Sequence, residues 1–367
     1  MNRDLTRGPV TKSMLMFAIP MILGDLLQQC YNIADTLIVG QFLGRDALAA
    51  VGSAFTLMTF LTSIILGLCM GSGALFSMRF GQRDEKALCE NLCASFFFIA
   101  LDLWFVIGLN RGVAGAAEAT VIAQYVSGAG IAVFTLARFP QMRSIWKFRC
   151  LRRGRIQEIV SFSTLTCVQQ SVMNLGILMV QGLVNSFGPI VMAAFAAAVK
   201  IDAFAYMPVQ DFGNAFSTFI AQNYGAKESE RIRAGLKSAV CISMAFCVVI
   251  SALVFVFASP LMAIFVDAGE TEVILEGVRY LRIEGAFYCG IGCLFLLYGL
   301  YRALGKPGMS VVLTVISLGT RVALAYLLSA IPAIGVTGIW WSVPIGWALA
   351  DLTGLFYYKA RKKELLT

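Results

Sequence analysis

The sequence predicts an all-α polytopic membrane protein with about ten transmembrane helices, and three observations carry this prediction. Hydrophobic residues make up 59% of the 367 residues and charged residues only 14%, whereas a soluble domain carries about 25% charged residues. The apolar residues form runs of about 20 or more, the length that a helix needs to cross a bilayer. Lysine and arginine are concentrated in alternate connecting segments, as the positive-inside rule describes.

The candidate spans follow one another along the whole chain, with no room for a soluble domain between them. They are residues 14–38, 47–75, 90–109, 113–136, 157–184, 190–220, 235–260, 278–301, 309–330 and 336–358. If the N-terminus is cytoplasmic and the spans alternate, 23 of the 29 Lys and Arg residues fall in inside segments and two, Arg45 and Arg111, in outside loops. We therefore expect a multi-pass protein of the cell membrane with both termini in the cytoplasm.

Two pairs of segments within the chain are similar to each other. Residues 17–44 match residues 162–188, and residues 112–128 match residues 335–351. Each pair starts from the same predicted side of the membrane, which indicates two homologous helical lobes related as parallel repeats. The predicted domains are a first lobe at 1–137, a basic cytoplasmic linker at 138–156 and a second lobe at 157–367. A basic linker at this position is typical of a positive-inside loop, so we expect contact with the lipid bilayer and no nucleic-acid partner.

The two predicted lobes differ in length. Gly225 and Gly335 in the second half are 110 residues apart, whereas the matching Gly81 and Gly112 are 31 residues apart. The first lobe is therefore shorter by 79 residues, which is about two spans with their loops. We expect about four spans in the first lobe and six in the second.

Several segments resemble the multidrug and toxic compound extrusion (MATE) family in its bacterial branch common in Firmicutes. They are QQCYNIADTLIVGQFLG, FGQRDEK, LDLWFV, GVAGAAEATVIAQYVSG, NAFSTFIAQNYGAKE and LYRALGKPG. The resemblance implies two six-helix lobes, twelve spans in all, and export of organic cations and amphiphiles in exchange for protons or sodium. It also implies that Asp35 and Asp102 couple ions. Phe98 stands where the family has an asparagine one turn before Asp102, so with the shortened first lobe we expect coupling to be impaired.

The first predicted span carries a polar stripe. Asp25, Gln28, Asn32 and Asp35 are spaced three, four and three residues apart, which places them on one helix face. An acid at the membrane centre costs about 2.5–3.5 kcal/mol on insertion scales, so such a stripe is not expected to face lipid. A water-filled cavity is the favoured interpretation, and a buried helix interface is the alternative.

Further polar residues are predicted to line a substrate cavity. Lys200, Asp211 and Asn214 share one face of a later span. Asp202 is expected to point away from that face, and a place near the outer interface and a functional role are both open for it. Glu118 and Glu284 are single acids for which a structural ion pair and a functional role are both open, with Arg279 or Arg282 as the expected partner of Glu284.

The sequence leaves three functional hypotheses. The first is an antiporter in which intramembrane acids exchange a proton or sodium ion for a cationic or amphiphilic small molecule. The second is a lipid-carrier flippase of the same superfamily, and the third is a degenerate membrane protein that transports nothing. We expect no enzymatic activity, because nucleotide-binding and hydrolase motifs are missing from the sequence. We also expect a monomer with no cofactor. No metal site is expected, because the chain has no histidine.

Overall fold

A computed structural model describes residues 4–42, 66–67, 69–82, 153–266 and 269–366. Every regular element in this part of the chain is an α-helix, which confirms the predicted all-α fold. The helices are α1 Val10–Phe42, α2 at residues 69–81, α3 Arg153–Asn185, α4 Pro189–Gly225, α5 Ser229–Ala263, α6 Thr271–Gly285, α7 Tyr288–Ala303, α8 Pro307–Ser329 and α9 Val336–Leu366.

Five of the described helices are long and apolar enough to cross a membrane. They contain the stretches Val10–Leu27, Ile156–Asn185, Pro189–Gly225, Ser229–Ala263 and Pro307–Ser329. Helices α6 and α7 together make a sixth if they are counted as one bent span. The predicted spans 90–109 and 113–136, and most of 47–75, lie outside the described residues, so the count of ten and the two-lobe organisation stay predictions.

The predicted span 278–301 is not one straight helix. It belongs to α6 and α7, which meet at an angle of 51°. The helical conformation is interrupted at Phe287, whose φ is −115° and ψ is 18°. The hydrophobic run continues through this bend, so the run alone could not reveal it.

Glycine and proline set the starts of three helices, α4, α8 and α9. Gly188 and Gly305 have φ values of 95° and 74°, a backbone region that glycine enters without strain. Pro189 and Pro307 follow in the first turn of α4 and α8, where a proline costs no helical hydrogen bond. Gly335, with φ of 54°, precedes α9 in the same way.

Helix α4 lies at the centre of the described bundle and packs against α1, α5, α6 and α7. Its contact with α7 is close because two glycines meet there: a Cβ added at Gly299 would lie 2.6 Å from the backbone oxygen of Gly213. By contrast, α5 leaves large apolar side chains such as Val248 and Val256 exposed, as expected of a helix that faces lipid. The position of α4 brings its polar residues next to several other helices.

Candidate functional site

Two buried carboxylates meet where α4 packs against α6. Asp202 of α4 and Glu284 of α6 are 7% and 1% exposed, and their side chains are within hydrogen-bonding reach of each other. The hydroxyl of Tyr288 donates to Asp202 Oδ1 at 2.5 Å, and the hydroxyl of Tyr280 donates to Glu284 Oε2 at 2.8 Å. Each acid therefore has its own phenol donor.

A positive charge on α8 interacts electrostatically with both acids. Arg321 acts on both Asp202 and Glu284. We call these five residues, Asp202, Tyr280, Glu284, Tyr288 and Arg321, the acid cluster. Two carboxylates and one guanidinium leave one negative charge when both acids are ionised. Among the residues that the structure describes, buried Glu284 Oε1 has no hydrogen-bond partner, so the cluster has an acceptor to spare.

The expected pairing of Glu284 with Arg279 or Arg282 is wrong. Arg279 pairs with Glu276 at 3.1 Å, one turn earlier on α6. The guanidinium of Arg282 lies over the ring of Phe255, 5.4 Å from the ring centroid. Residues close in sequence on a helix do not all share a face, and Glu284 faces α4 rather than its own arginines.

An aromatic wall stands beside the acid cluster. The rings of Phe195 and Trp340 are stacked with centroids 5.5 Å apart, and Tyr280 packs edge-on against Trp340 at 4.9 Å. The indole nitrogen of Trp340 donates to Glu276 Oε1 at 2.8 Å. Tyr280 thus holds Glu284 at one end while its ring is fixed by Trp340, which restricts how the acid can move.

A second pair of acids lies between α1 and α4. Asp211 is buried, and its Oδ2 has no hydrogen-bond partner within the described part of the chain. The group that acts on it is Asp25 of α1, whose side chain is exposed yet within hydrogen-bonding reach. The sequence placed both residues in a substrate cavity, and the structure brings these two together.

A buried arginine lies near the same part of α4. The guanidinium of Arg302, on α7, donates to Asn214 Oδ1 at 2.9 Å and to Ser217 Oγ at 3.3 Å. Asn214, a predicted cavity residue, is therefore held by Arg302. Lys200 is exposed near the other end of α4 and does not join Asp211 and Asn214.

Several predicted site residues fall outside what the structure describes. The side chains of Gln28, Asn32 and Asp35, which belong to α1, and all of Asp102 and Glu118 lie outside the described residues. Their predicted roles stay predictions.

Sequence reasoning missed Asp202 as a site residue, together with Tyr280, Tyr288, Arg302 and Arg321. A signal was present for Asp202. It lies nine residues before Asp211, which is two and a half turns of an α-helix. The two acids therefore lie on opposite faces of α4, one toward α6 and the other toward α1. Asp202 is buried and accepts a hydrogen bond from Tyr288, so it lies inside the helix bundle, and its place relative to the outer interface stays a prediction.

The N-terminal segment closes one end of the bundle, where α4 ends and α5 begins. We call this the basic end, formed by residues 4–8, 78–82 and 222–231. The backbone N–H of Leu5 donates to Gln222 Oε1 at 3.0 Å. Arg231 donates to the carbonyl oxygens of Leu5 at 3.1 Å and Gly8 at 2.9 Å.

Helix α2 joins α3 and α4 at the basic end. The guanidinium of Arg79 pairs with Glu158 of α3 at 2.5 Å. Gly81 and Gly225 lie so close to the opposite helix that an added Cβ at either would clash with its backbone. The sequence predicts that this end is cytoplasmic. Because α1 and α2 belong to the predicted first lobe, and α3 and α4 to the second, the contacts here hold the two predicted lobes together.

Comparison with known proteins agrees with this architecture. The family model described as MatE matches residues 20–109 and 166–327. The probable multidrug resistance protein YpnP of Bacillus subtilis is 23% identical over 443 residues, covering 97% of this chain and 96% of that protein. Since the aligned length exceeds 367 residues, the chain is shorter than the typical family member.

Solved structures share the fold at low sequence identity. An outward-facing multidrug resistance transporter of the MATE family superposes with a TM-score of 0.85 at 20% identity, over 99% of this chain and 98% of that chain. A MOP superfamily transporter from Pyrococcus furiosus gives 0.84 at 19% identity, over 100% and 98%. The apolar helices, the family match and the shared fold make this a multi-pass membrane transporter, and the chain belongs to the MATE family of multidrug efflux transporters.

Proposed function

We propose that this chain is a cation-coupled antiporter that exports organic cations and other amphiphiles across the cell membrane by alternating access. The coupling ion is a proton or sodium. The protein works as a monomer with both termini in the cytoplasm, and it carries no cofactor and catalyses no reaction. Asp35 and Asp102 keep the ion-coupling roles that the family resemblance implies for them.

The observation that carries this proposal is the charge of the acid cluster. Asp202 and Glu284 share one guanidinium, that of Arg321, and both acids are buried. A buried site with one uncompensated negative charge is stabilised when it takes up one positive charge. A proton, a sodium ion and a cationic substrate compete for such a site, and this competition is what antiport requires.

The surroundings of the cluster suit flat, positively charged substrates. Tyr280, Phe195 and Trp340 lie next to the acids and are buried against one another in this arrangement of the helices. Aromatic faces attract organic cations, so a movement of the helices that exposes these rings creates a surface for such substrates. We propose that this wall contributes to substrate recognition, while Glu284 provides the charge. The same acids argue against a flippase for pyrophosphate-linked lipids, which needs a cationic cavity.

The experiment is uptake of a fluorescent organic cation into inverted membrane vesicles, driven by an imposed proton or sodium gradient. We expect gradient-driven uptake by the wild-type chain and its loss in Glu284→Gln, Asp202→Asn and Asp35→Asn at equal expression. Glu230→Gln is the control, because Glu230 is an exposed surface acid paired with Arg233. Uptake by Glu284→Gln and Asp202→Asn at the wild-type rate would contradict coupling at the acid cluster.

The shortened first lobe predicts that uptake is weaker than in a transporter with a complete lobe. Adding about 79 residues patterned on the second half, between Gly81 and Gly112, with asparagine in place of Phe98, is expected to raise the rate. Strong uptake by the short chain that also depends on Asp102 would show that four helices suffice for that lobe.

A further inference from the structure

We propose that Asp25 and Asp211 form a monovalent-cation site between α1 and α4, separate from the acid cluster, and that the bound cation holds these two helices together. The cation is a proton shared by the two carboxylates or a sodium ion coordinated by both. Its effect on transport rests on the proposed function, whereas its binding does not.

The first step is the position of Asp211. Asp211 is 6% exposed, and its buried Oδ2 finds no hydrogen-bond donor among residues 4–42, 66–67, 69–82, 153–266 and 269–366. A buried carboxylate oxygen without a donor costs free energy unless something neutralises it. The group within reach is the carboxylate of Asp25, which can only accept hydrogen bonds while it is ionised.

The second step is the charge around the pair. Arg302 packs on the same stretch of α4, but its guanidinium bonds Asn214 and Ser217. Lys200 is three turns away on α4. In the described part of the chain, no lysine or arginine forms an ion pair with Asp25 or Asp211. Two carboxylates that meet without a basic partner need a cation between them.

The third step is the kind of cation. Two carboxylates provide up to four oxygens, whereas Ca²⁺ takes six to eight oxygen ligands. Among the described residues there is no group of three or more aspartates, glutamates and cysteines suited to a metal. A small monovalent ion or a proton fits a two-carboxylate site, since one positive charge already removes the repulsion between them.

The fourth step is the consequence for movement. Helix α1 belongs to the predicted first lobe and α4 to the second, and the exposed Asp25 reaches the buried Asp211 across their contact. When the cation leaves, the two carboxylates repel each other and the contact is weakened. When the helices separate, the site no longer exists. Cation binding and the closed arrangement of α1 against α4 therefore favour each other.

The binding experiment measures the thermal stability of the purified full chain in detergent under three conditions. These are choline chloride at alkaline pH, sodium chloride at the same pH and ionic strength, and choline chloride at acidic pH. A ligand that binds only the folded state raises Tm. We expect sodium, acid or both to raise Tm of the wild type by a few degrees.

Variants assign this response to the pair. Asp25→Asn is expected to lose a large part of the rise, and because Asp25 is exposed its substitution leaves the fold intact. Asp211→Asn is expected to lose the same part. Glu230→Gln is the matched control for Asp25→Asn, since Glu230 is another exposed helical acid and its carboxylate pairs with Arg233. A rise in sodium alone identifies sodium as the ligand, and a rise in acid alone identifies the proton.

Asp25→Lys tests the cation site most sharply, because the ammonium group of the new lysine takes the place of the bound cation beside Asp211. We expect this variant to be as stable without sodium or acid as the wild type is with them. A rise in Tm as large in both Asp25→Asn and Asp211→Asn as in the wild type would overturn the proposal. So would a wild type that responds to neither condition. If the wild-type chain shows the expected Tm response but no gradient-driven dye uptake, the proposed function is contradicted and the cation site is supported.

Discussion

Helix α4 carries two acids nine residues apart, and their surroundings differ in one respect. Asp202 receives a hydrogen bond from Tyr288 and shares the charge of Arg321 with Glu284. Asp211 is equally buried, but the group that faces it is another acid, Asp25. The first pair is built into a bundle that includes its donors, whereas the second depends on a partner from α1 and on a cation.

This difference indicates how α4 can take part both in ion coupling and in the contact with α1. Buried acids that accept hydrogen bonds from phenol donors keep their geometry while one charge is exchanged, as a coupling site requires. Two acids that face each other across a helix contact respond to any change in that contact. We therefore propose that the acid cluster takes part in coupling together with Asp35 and Asp102, and that the pair Asp25 and Asp211 controls the closure of α1 against α4.

The largest change in stability is expected when Arg321 is removed. Arg321→Leu removes the guanidinium whose charge acts on Asp202 and Glu284, and we expect the free energy of unfolding to fall by about 3 kcal/mol because two buried acids lose the positive charge that offsets them. Thermal unfolding in detergent measures this. Adding Glu284→Gln is expected to restore part of the loss because it removes one of the two negative charges. A variant as stable as the wild type would show that Arg321 does not hold the acids.

A smaller loss is expected when a phenol donor is removed. Tyr288→Phe leaves Asp202 Oδ1 without its donor, which costs about 1–3 kcal/mol for a buried acceptor. The control is Tyr326→Phe, since Tyr326 is exposed and surface substitutions change stability by about 0.5 kcal/mol or less. Equal unfolding temperatures for the two variants would remove the structural difference between the two acid pairs.

The smallest effect concerns the basic end. Arg231→Gln removes the hydrogen bonds to Leu5 and Gly8 and is expected to cost about 1 kcal/mol. Arg233→Gln, which breaks only an exposed ion pair with Glu230, is expected to cost less. If closure at the basic end and the Asp25–Asp211 contact act as one unit, Arg231→Gln combined with Asp25→Asn shows a coupling energy of about 0.5 kcal/mol or more. Strict additivity would show that the two contacts are independent.

The sequence predicted the all-α membrane fold because bilayer thickness sets the length of each apolar run, and a run is visible in the sequence. Helical spacing also assigned Asp25 to a polar face of the first span and put Asp211 and Asn214 on one face of a later span, whereas the substrate cavity expected there stays a prediction. The sequence could not show that Asp25 meets Asp211, because nothing local states which helices are neighbours. For the same reason Tyr288 and Arg321 were missed, since they reach Asp202 from other helices. The bend at Phe287 was hidden within a continuous apolar run.

The two acid pairs are proposed to have separate roles, and a transport measurement distinguishes these roles. It is the rate of gradient-driven dye uptake as a function of sodium and proton concentration, compared in the wild type, Glu284→Gln and Asp25→Asn. We predict that Glu284→Gln loses ion-driven uptake, whereas Asp25→Asn retains it with a changed cation concentration for half-maximal rate. Wild-type ion dependence in Glu284→Gln, or equal loss of uptake in both variants, would contradict the account.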